Sequence, residues 1–384
     1  MAEEDQAFWK NSPERILVVI QLGGGNDGLN TVVPYLNDLY YKMRPLLGQK
    51  KDSLLKIDDE FGFHGSLEGF KTLFDAGKLS IVQGVGYPNP DRSHFRSMDI
   101  WNGGLDSKMR VETGWLGRYF DSQCQKNVIP VSTIGLNVGK ISPKAFLNRH
   151  SLGVSLEDPD TYQWETSGTN KVFVEAQEKI FEELNQPQME SEGSLLFLQH
   201  TGMNARVSSD QIRSSIKHYR SGVNYPSGNL GRDLSLIAGM MSGGLETRVY
   251  YAHQGGFDTH GDQLRSHDRL LQELGDSCLA FQKDLEQIGI ADRVVTMVFS
   301  EFGRRVQENA SEGTDHGAAA PLFVFGKGVK GGFQGKMPSL SDLDDGDMKF
   351  GTDFRQVYAT LLDRWMKVPS SSILQKEFKN LSFI

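Results

Sequence analysis

The stretch Ile16–Gly28, ILVVIQLGGGNDG, decides the fold. It opens with an apolar, largely β-branched run, and three glycines and a carboxylate, Asp27, follow. Such a run is typical of a parallel strand that is covered on both faces. In an open α/β sheet, ligands bind beyond the carboxyl ends of the strands, where glycine lets the backbone approach them closely. We therefore expect Asp27 to stand at the mouth of a functional site.

Further strand-like runs alternate with helical patterns along the chain. The predicted strands include Leu79–Gly84, Arg248–His253, Arg293–Phe299 and Pro321–Gly326, and the predicted helices include Ser66–Ala76, Gln263–Ile288 and Thr352–Met366. This alternation predicts an α/β fold, a three-layer sandwich with a mostly parallel central sheet. Residues from about 135 to 244 look mainly helical, so we expect a helical cap or insertion there. The prediction is one domain over residues 1–384.

Composition excludes several classes of protein. The chain has 384 residues, 41 basic and 49 acidic side chains and a formal net charge of −8, without a run of Lys and Arg, so nucleic acid is not an expected partner. Two distant cysteines without a CxxC motif argue against a disulfide framework or a structural zinc site. No apolar run reaches transmembrane length. The sequence is compatible with two locations. The protein is exported or periplasmic if a signal was removed, and it is otherwise cytoplasmic. The sequence does not indicate which oligomeric state the protein adopts.

Polar residues follow the predicted strand ends. They are Asp27, Ser93 with His94, Asp258 with His260, and Glu301, and a loop before a late strand adds Asp315 and His316. Carboxylates, imidazoles and a hydroxyl at one sheet edge suit a metal-assisted hydrolase. One or two divalent ions (Zn, Mn, Mg or Ca) would fit oxygen and imidazole ligands. Such an ion lowers the pKa of water or an alcohol and stabilises a developing oxyanion.

Five motifs carry a resemblance to a known family. They are GGNDGLN (24–30), PDRSHF (90–95), GFDTHG (256–261), SEFGRR (300–305) and GTDHG (313–317). In this order they resemble the DUF1501 family, which is placed in the alkaline phosphatase-like superfamily with sulfatases and cofactor-independent phosphoglycerate mutases. The resemblance implies an alkaline phosphatase-like fold. It also implies a first metal-binding Asp at Asp27, a nucleophile at Ser93, an Asp and His pair at Asp258 and His260, and a late His at His316.

One position departs from the superfamily pattern. Phosphatases of this superfamily usually carry adjacent Asp and His after a late strand, whereas this chain has Glu301 and Phe302. One imidazole ligand is therefore missing, which favours one ion, or a more oxygen-rich pair of sites.

The leading hypothesis is a metal-dependent hydrolase or transferase acting on a small phosphate or sulfate ester. Ser93 would attack the ester, and an Arg such as Arg305 would stabilise the charge that develops. The expected metal ligands are Asp27, Asp258, His260, Glu301 and His316, and the expected substrate contacts are Asn26, His94 and Arg305.

The same residues also have purely structural interpretations. Asp27 could belong to a glycine turn, Ser93 could be a helix N-cap, and Glu301 could pair with a nearby Arg. The alternative function is a non-catalytic metal-binding or export-associated module, which the missing imidazole favours. A dinucleotide-binding fingerprint, G-x-G-x-x-G at residues 23–28, requires a helix starting at Gly28, and Pro34 argues against one.

Overall fold

The fold is built on one large sheet. The computed structural model describes residues 15–124, 132–149, 152–162, 170–185 and 193–384. The strands of this described part are β1 (Ile16–Leu22), β2 (Val32–Val33), β3 (Leu55–Lys56), β4 (Gly62–Phe63), β5 (Leu79–Gly86), β6 (Gly135–Val138), β7 (Val154–Leu156), β8 (Val249–Gln254), β9 (Val294–Ser300), β10 (Ala320–Phe325), β11 (Gly332–Gln334), β12 (Leu343–Asp344), β13 (Asp347–Met348) and β14 (Thr352–Asp353).

The main sheet is mostly parallel. Its order is β11-β5-β10-β9-β1-β8-β6-β7, and β14 also pairs with β5. The pairings of β1 with β8 and β9, of β6 with β7 and β8, and of β5 with β11 and β14 are parallel. Only β10 runs against its neighbours β5 and β9. The predicted mostly parallel α/β sheet is confirmed.

Helices cover both faces of this sheet. They are α1 (Gly28–Thr31), α2 (Asp38–Met43), α3 (Glu68–Asp75), α4 (His94–Gly103), α5 (Trp115–Ser122), α6 (Lys171–Asn185), α7 (Gly193–Ile216), α8 (Asn229–Ser242), α9 (Gln263–Gln287), α10 (Phe354–Thr360), continued by a π-helical turn at Leu361–Met366, and α11 (Ser370–Leu374). Within the described ranges, no helix combines the length and apolar character needed to cross a membrane.

The alternation of β1 explains the two layers of helices. Val18 and Ile20 point into one core with α3, α8 and α9, whereas Leu17 and Val19 point into a second core with α4, α5 and α10. A strand with apolar residues on both faces can be satisfied only when both faces are covered. The run that opens the chain's first strand therefore dictates a three-layer sandwich.

The predicted helical insertion at about residues 135–244 is not confirmed. This range begins with β6 and contains β7, and both are strands of the main sheet. α8 packs against α9 and β8 and adds Leu234 and Ile237 to the core. Local sequence missed these strands because they are only four and three residues long. That the chain forms one domain stays a prediction.

Candidate metal centre

Three neighbouring strands deliver their loops to one edge of the sheet. β1 lies between β8 and β9, and Leu22 is in register with Gln254 and Ser300. The loops that follow these strands therefore start side by side. The loop after β8 carries Asp258, and the loop after β9 begins at Glu301.

The glycine run lets these loops touch. Gly24 has a φ of +120°, and a Cβ there would overlap the backbone nitrogen of Asp258. Its own backbone N–H donates to Oε1 of Glu301 over 2.9 Å. Glycine is required here because one loop packs on the backbone of the other.

Arg304 forms hydrogen bonds to the same loops from the protein interior. Its side chain is fully buried. It donates to Oδ1 of Asp258 over 2.8 Å and to four backbone carbonyls, those of Gly24, Gly25, Phe257 and Thr314. A guanidinium carries five N–H donors in a rigid fork, so one side chain can fix several segments at once. Arg304 therefore positions Asp258 and the glycine loop.

His94, Asp258 and His316 bring their ligand atoms together. One ligand atom from each residue lies within 4.8 Å of those of the other two. Nε2 of His316 is 3.1 Å from Oδ1 of Asp258, and Nε2 of His94 is 3.4 Å from Oδ2. Nε2 of His94 is buried, and no described residue forms a hydrogen bond with it. An imidazole nitrogen that has no hydrogen-bond partner and lies beside a carboxylate is suited to bind a metal ion.

Acceptors outside the group orient both of these imidazoles. Nδ1 of His94 is 2.7 Å from Oε1 of Glu301, and Nδ1 of His316 is 2.7 Å from the carbonyl oxygen of Arg92. A carboxylate and a carbonyl only accept, so each Nδ1 carries the proton. In a neutral imidazole the lone pair then lies on Nε2, which faces the group. Metal-binding histidines are commonly held in this way.

His260 adjoins this group. Its Nε2 is 3.0 Å from Oδ1 of Asp258 and 2.9 Å from Nε2 of His316, and its Nδ1 is 3.2 Å from Oδ1 of Asp315. Two imidazole nitrogens this close share either a proton, in an N–H···N hydrogen bond, or a metal cation. Atoms that bind one ion at about 2.0–2.1 Å lie roughly 3.0–3.4 Å apart. The spacing and chemistry of these donors therefore fit a divalent metal ion.

The electrostatics of Asp258 suit a metal ligand. Partial burial would raise its pKa, but the hydrogen bond and the positive charge of Arg304 outweigh burial and lower the pKa to about 2. Because a carboxylate must be deprotonated to bind a metal, Asp258 is ready to do so at neutral pH.

Glu301 lies behind the group. Its side chain is nearly fully buried, and both oxygens are engaged. Oε1 accepts from the backbone of Gly24 and from His94, and Oε2 accepts from the hydroxyl of Ser300. In these contacts Glu301 holds the ring of His94, and its predicted role as a metal ligand stays a prediction.

Asp27 also lies outside the group. It is 1% exposed, and its Oδ2 accepts from Arg44 and from Gln263, each over 2.5 Å. Burial would raise its pKa, but the charge and hydrogen bond of Arg44 lower the pKa below its usual value. It also caps α1, the helix that begins at Gly28 but is only four residues long. The metal role of Asp27 stays a prediction, and in the described contacts Arg44 and Gln263 bind its carboxylate.

The two residues predicted to contact substrate beside His94 have other partners. Asn26 is buried, and its Oδ1 accepts from Nε2 of His267 over 2.9 Å. Arg305 lies 3.5 Å from a carboxylate oxygen of Asp345 and 3.8 Å from one of Asp347. Neither side chain is brought to the metal-ligand group by a described contact.

Ser93 is exposed and stands at the N-terminus of α4, immediately before His94. Its hydroxyl accepts from the backbone N–H of Arg96 over 3.5 Å, so it is the helix N-cap. An exposed N-cap hydroxyl beside a candidate ligand is compatible with both interpretations of Ser93.

Sequence reasoning missed Arg44 and Gln263 and considered Arg304 only as a partner of Glu301. Arg44 is 17 residues from Asp27, and Gln263 is 236 residues away. No local pattern marks such pairings. A signal existed only for Arg304, which lies in the SEFGRR motif.

Comparisons with known proteins identify the family. A family model described as "Protein of unknown function (DUF1501)" matches residues 144–376. The chain belongs to the DUF1501 family. The matched range holds Asp258, His260 and His316. No curated protein matches the sequence.

Solved structures that resemble this DUF1501 chain include sulfatases and alkaline phosphatase superfamily members. PsFucS1 sulfatase from Pseudoalteromonas sp. is 12% identical with a TM-score of 0.41, covering 99% of this chain and 75% of that one. A protein in the alkaline phosphatase superfamily from Vibrio parahaemolyticus is 10% identical with a TM-score of 0.41, covering 95% and 71%. The C-terminal periplasmic domain of EcEptC from Escherichia coli is 10% identical with a TM-score of 0.39, covering 96% and 89%.

Proposed function

We propose that this protein is a metal-dependent hydrolase or transferase that acts on a phosphate or sulfate ester. The proposal is carried by one observation: His94, Asp258 and His316 converge, and each histidine holds its Nδ1 on an acceptor outside the group. Two imidazoles and a carboxylate suit Zn²⁺ or Mn²⁺ better than Mg²⁺ or Ca²⁺, which favour oxygen ligands.

The residues around the group have distinct roles in this proposal. When bound, a divalent ion would polarise the ester and stabilise the charge that develops in its transition state. His94, Asp258 and His316 would hold it, and Glu301 would keep the ring of His94 aligned. The hydroxyl of Ser93 would attack the phosphorus or sulfur atom, so that the alcohol leaves and a covalent serine ester forms. Water or an acceptor alcohol would then cleave that ester and restore Ser93.

Metal analysis of purified protein tests the centre. After loading with Zn²⁺ or Mn²⁺, we expect His94→Ala and Asp258→Asn to lower both the bound ion and the hydrolysis of 4-nitrophenyl phosphate or sulfate at least tenfold. His218→Ala is the matched control, because His218 is an exposed histidine on the turn after α7. Retention of the ion by both site variants would reject the proposed ligands.

The Ser93→Ala variant tests the nucleophile separately. We expect this variant to bind the ion as the native chain does and to lose hydrolysis, because it removes the attacking oxygen and leaves every proposed metal ligand in place. A variant that keeps full activity would leave Ser93 as an N-cap alone.

A second function, a non-catalytic metal-binding module, is favoured by the position of His260. With His260 as a fourth ligand the ion would be closed to substrate, as in structural zinc sites, whereas three protein ligands leave a position open. In a closed site, His260→Ala should weaken ion binding as much as His94→Ala. In an open site its effect should be much smaller. Ion affinities measured by competition with a chelator distinguish the two.

A further inference from the structure

A cleft of about 620 Å³ opens beside the metal-ligand group. His94, Asp258 and Glu301 line it together with further residues of α4, residues 137–144 and residues of β1 and β8. Clefts of this volume accommodate small organic ligands. We propose that this cleft holds the alcohol portion of the ester, and that this portion is an apolar group about the size of an aromatic ring. The inference rests on the proposed function and names its substrate class.

The walls of the cleft are apolar on both sides. Phe95 and Met98 contribute from α4, and Val138, Ile141 and Pro143 contribute from the opposite segment. Phe95 is 87% exposed and Ile141 is 85% exposed, so two large apolar side chains of the lining are in contact with water. A single exposed apolar residue needs no explanation, but a pair that lines one cleft marks a binding surface.

The charges at the rim do not provide a second anion site. Lys144 pairs with Asp99 over 2.6 Å, and Lys140 lies 3.4 Å from Glu157. Each ammonium group of the cleft is thus opposed by a carboxylate. A substrate with one anionic ester group and an uncharged remainder fits this distribution better than one with several anionic groups.

Polar side chains also line the cleft, and Asn102 and Tyr251 are buried ones among them. Asn102 lines the cleft and is only 5% exposed, and its Oδ1 has no hydrogen-bond partner among the described residues. Tyr251 and Gln21 also line the cleft, and the hydroxyl of Tyr251 already donates to the side chain of Gln21 over 2.6 Å.

The test compares two esters whose alcohols have similar acidity. In metal-loaded protein, we expect 2-phenylethyl phosphate or sulfate to exceed the ethyl ester in kcat/KM by about 10- to 100-fold, because a buried ring adds favourable apolar contact. Phe95→Ser and Ile141→Ser should each lower this preference about fivefold. Leu36→Ser is the matched control, because Leu36 is 57% exposed and lies outside the cleft.

A binding measurement separates this inference from the proposed function. Calorimetry compares 2-phenylethylphosphonate with ethylphosphonate, neither of which can be hydrolysed as an ester. Hydrolysis of both esters without a preference for the ring would overturn the inference alone. If no ester is cleaved, tighter binding of the ring-bearing phosphonate, weakened in both cleft variants, would support the cleft while the hydrolase proposal fails. Equal or absent binding of the two phosphonates would overturn the inference as well.

Discussion

Replacing Arg304 by Met should destabilise the protein far more than the same change at its neighbour Arg305. Arg304 is fully buried and donates to a carboxylate and four backbone carbonyls. Arg305 is partly exposed, and its carboxylate neighbours Asp345 and Asp347 are 3.5 and 3.8 Å away. Methionine keeps much of the length of the side chain and removes every donor.

The expected loss in the free energy of unfolding follows from the acceptors that lose their donor. Each buried carbonyl that loses its donor costs about 1–3 kcal/mol, and removing one partner of a buried ion pair costs about 3–5 kcal/mol. Because Asp258 is half exposed, water can replace part of its lost contact. Four carbonyls at the lower limit of about 1 kcal/mol each already give about 4 kcal/mol, so we expect Arg304→Met to lower the free energy of unfolding by at least that much. An exposed pair contributes about 0–1 kcal/mol, so Arg305→Met should change it by less than 1 kcal/mol.

Urea unfolding followed by tryptophan fluorescence measures both variants. Arg304→Lys adds an internal test, since it keeps the charge but not the planar fork, and its unfolding midpoint should fall between those of the native chain and Arg304→Met. The reasoning is refuted if the two methionine variants unfold at the same urea concentration. It is also refuted if Arg304→Lys matches the native chain, because charge alone would then suffice.

Three further predictions address other contacts. Glu301→Gln should weaken ion binding about 10- to 100-fold in a chelator competition, because the ring of His94 loses its charged partner; unchanged affinity would exclude the orienting role. Burial lowers the pKa of His267 to about 4 from an ordinary 6.5, so below pH 6.5 the unfolded chain takes up protons that the folded chain does not. Stability should therefore fall by up to about 3 kcal/mol from pH 6.5 to 4, and thermal melting should show this slope reduced in His267→Gln. Gly23→Ala should lower the free energy of unfolding by about 1–3 kcal/mol, because its Cβ would overlap the ring of His253. In a double-mutant cycle, His253→Ala should restore much of that loss, and additive effects of the two substitutions would contradict this prediction.

The sequence predicted the sheet because its signal is local. The predicted strand Ile16–Ile20 is part of β1, and Leu79–Gly84 is part of β5. Long apolar runs buried on both faces stand out against their flanking glycines. β6 and β7 were missed for the opposite reason, since strands this short hold too few residues to show a period.

The site was predicted less completely because its roles depend on distant partners. A carboxylate after a strand looks the same whether it faces a metal or a guanidinium. Asp27 meets Arg44, and Glu301 meets the ring of His94, 207 residues away in sequence. Asp258 differs because its loop brings it beside two imidazoles. Only tertiary contacts separate a ligand from a residue that orients one.

Glu301 and Phe302, where the sequence departs from the superfamily pattern, contact histidines from other segments of the chain. Phe302 packs against the rings of His94 and His316, with ring centroids 4.9 Å apart in both cases. Glu301 fixes Nδ1 of His94. These two residues therefore support imidazoles from other segments at the place where the superfamily pattern predicts ligands. In the proposed centre, α4 supplies the missing imidazole as His94. Because His94 directly follows Ser93, the helix that completes the ligand set also carries the proposed nucleophile, so metal binding and the position of Ser93 should change together.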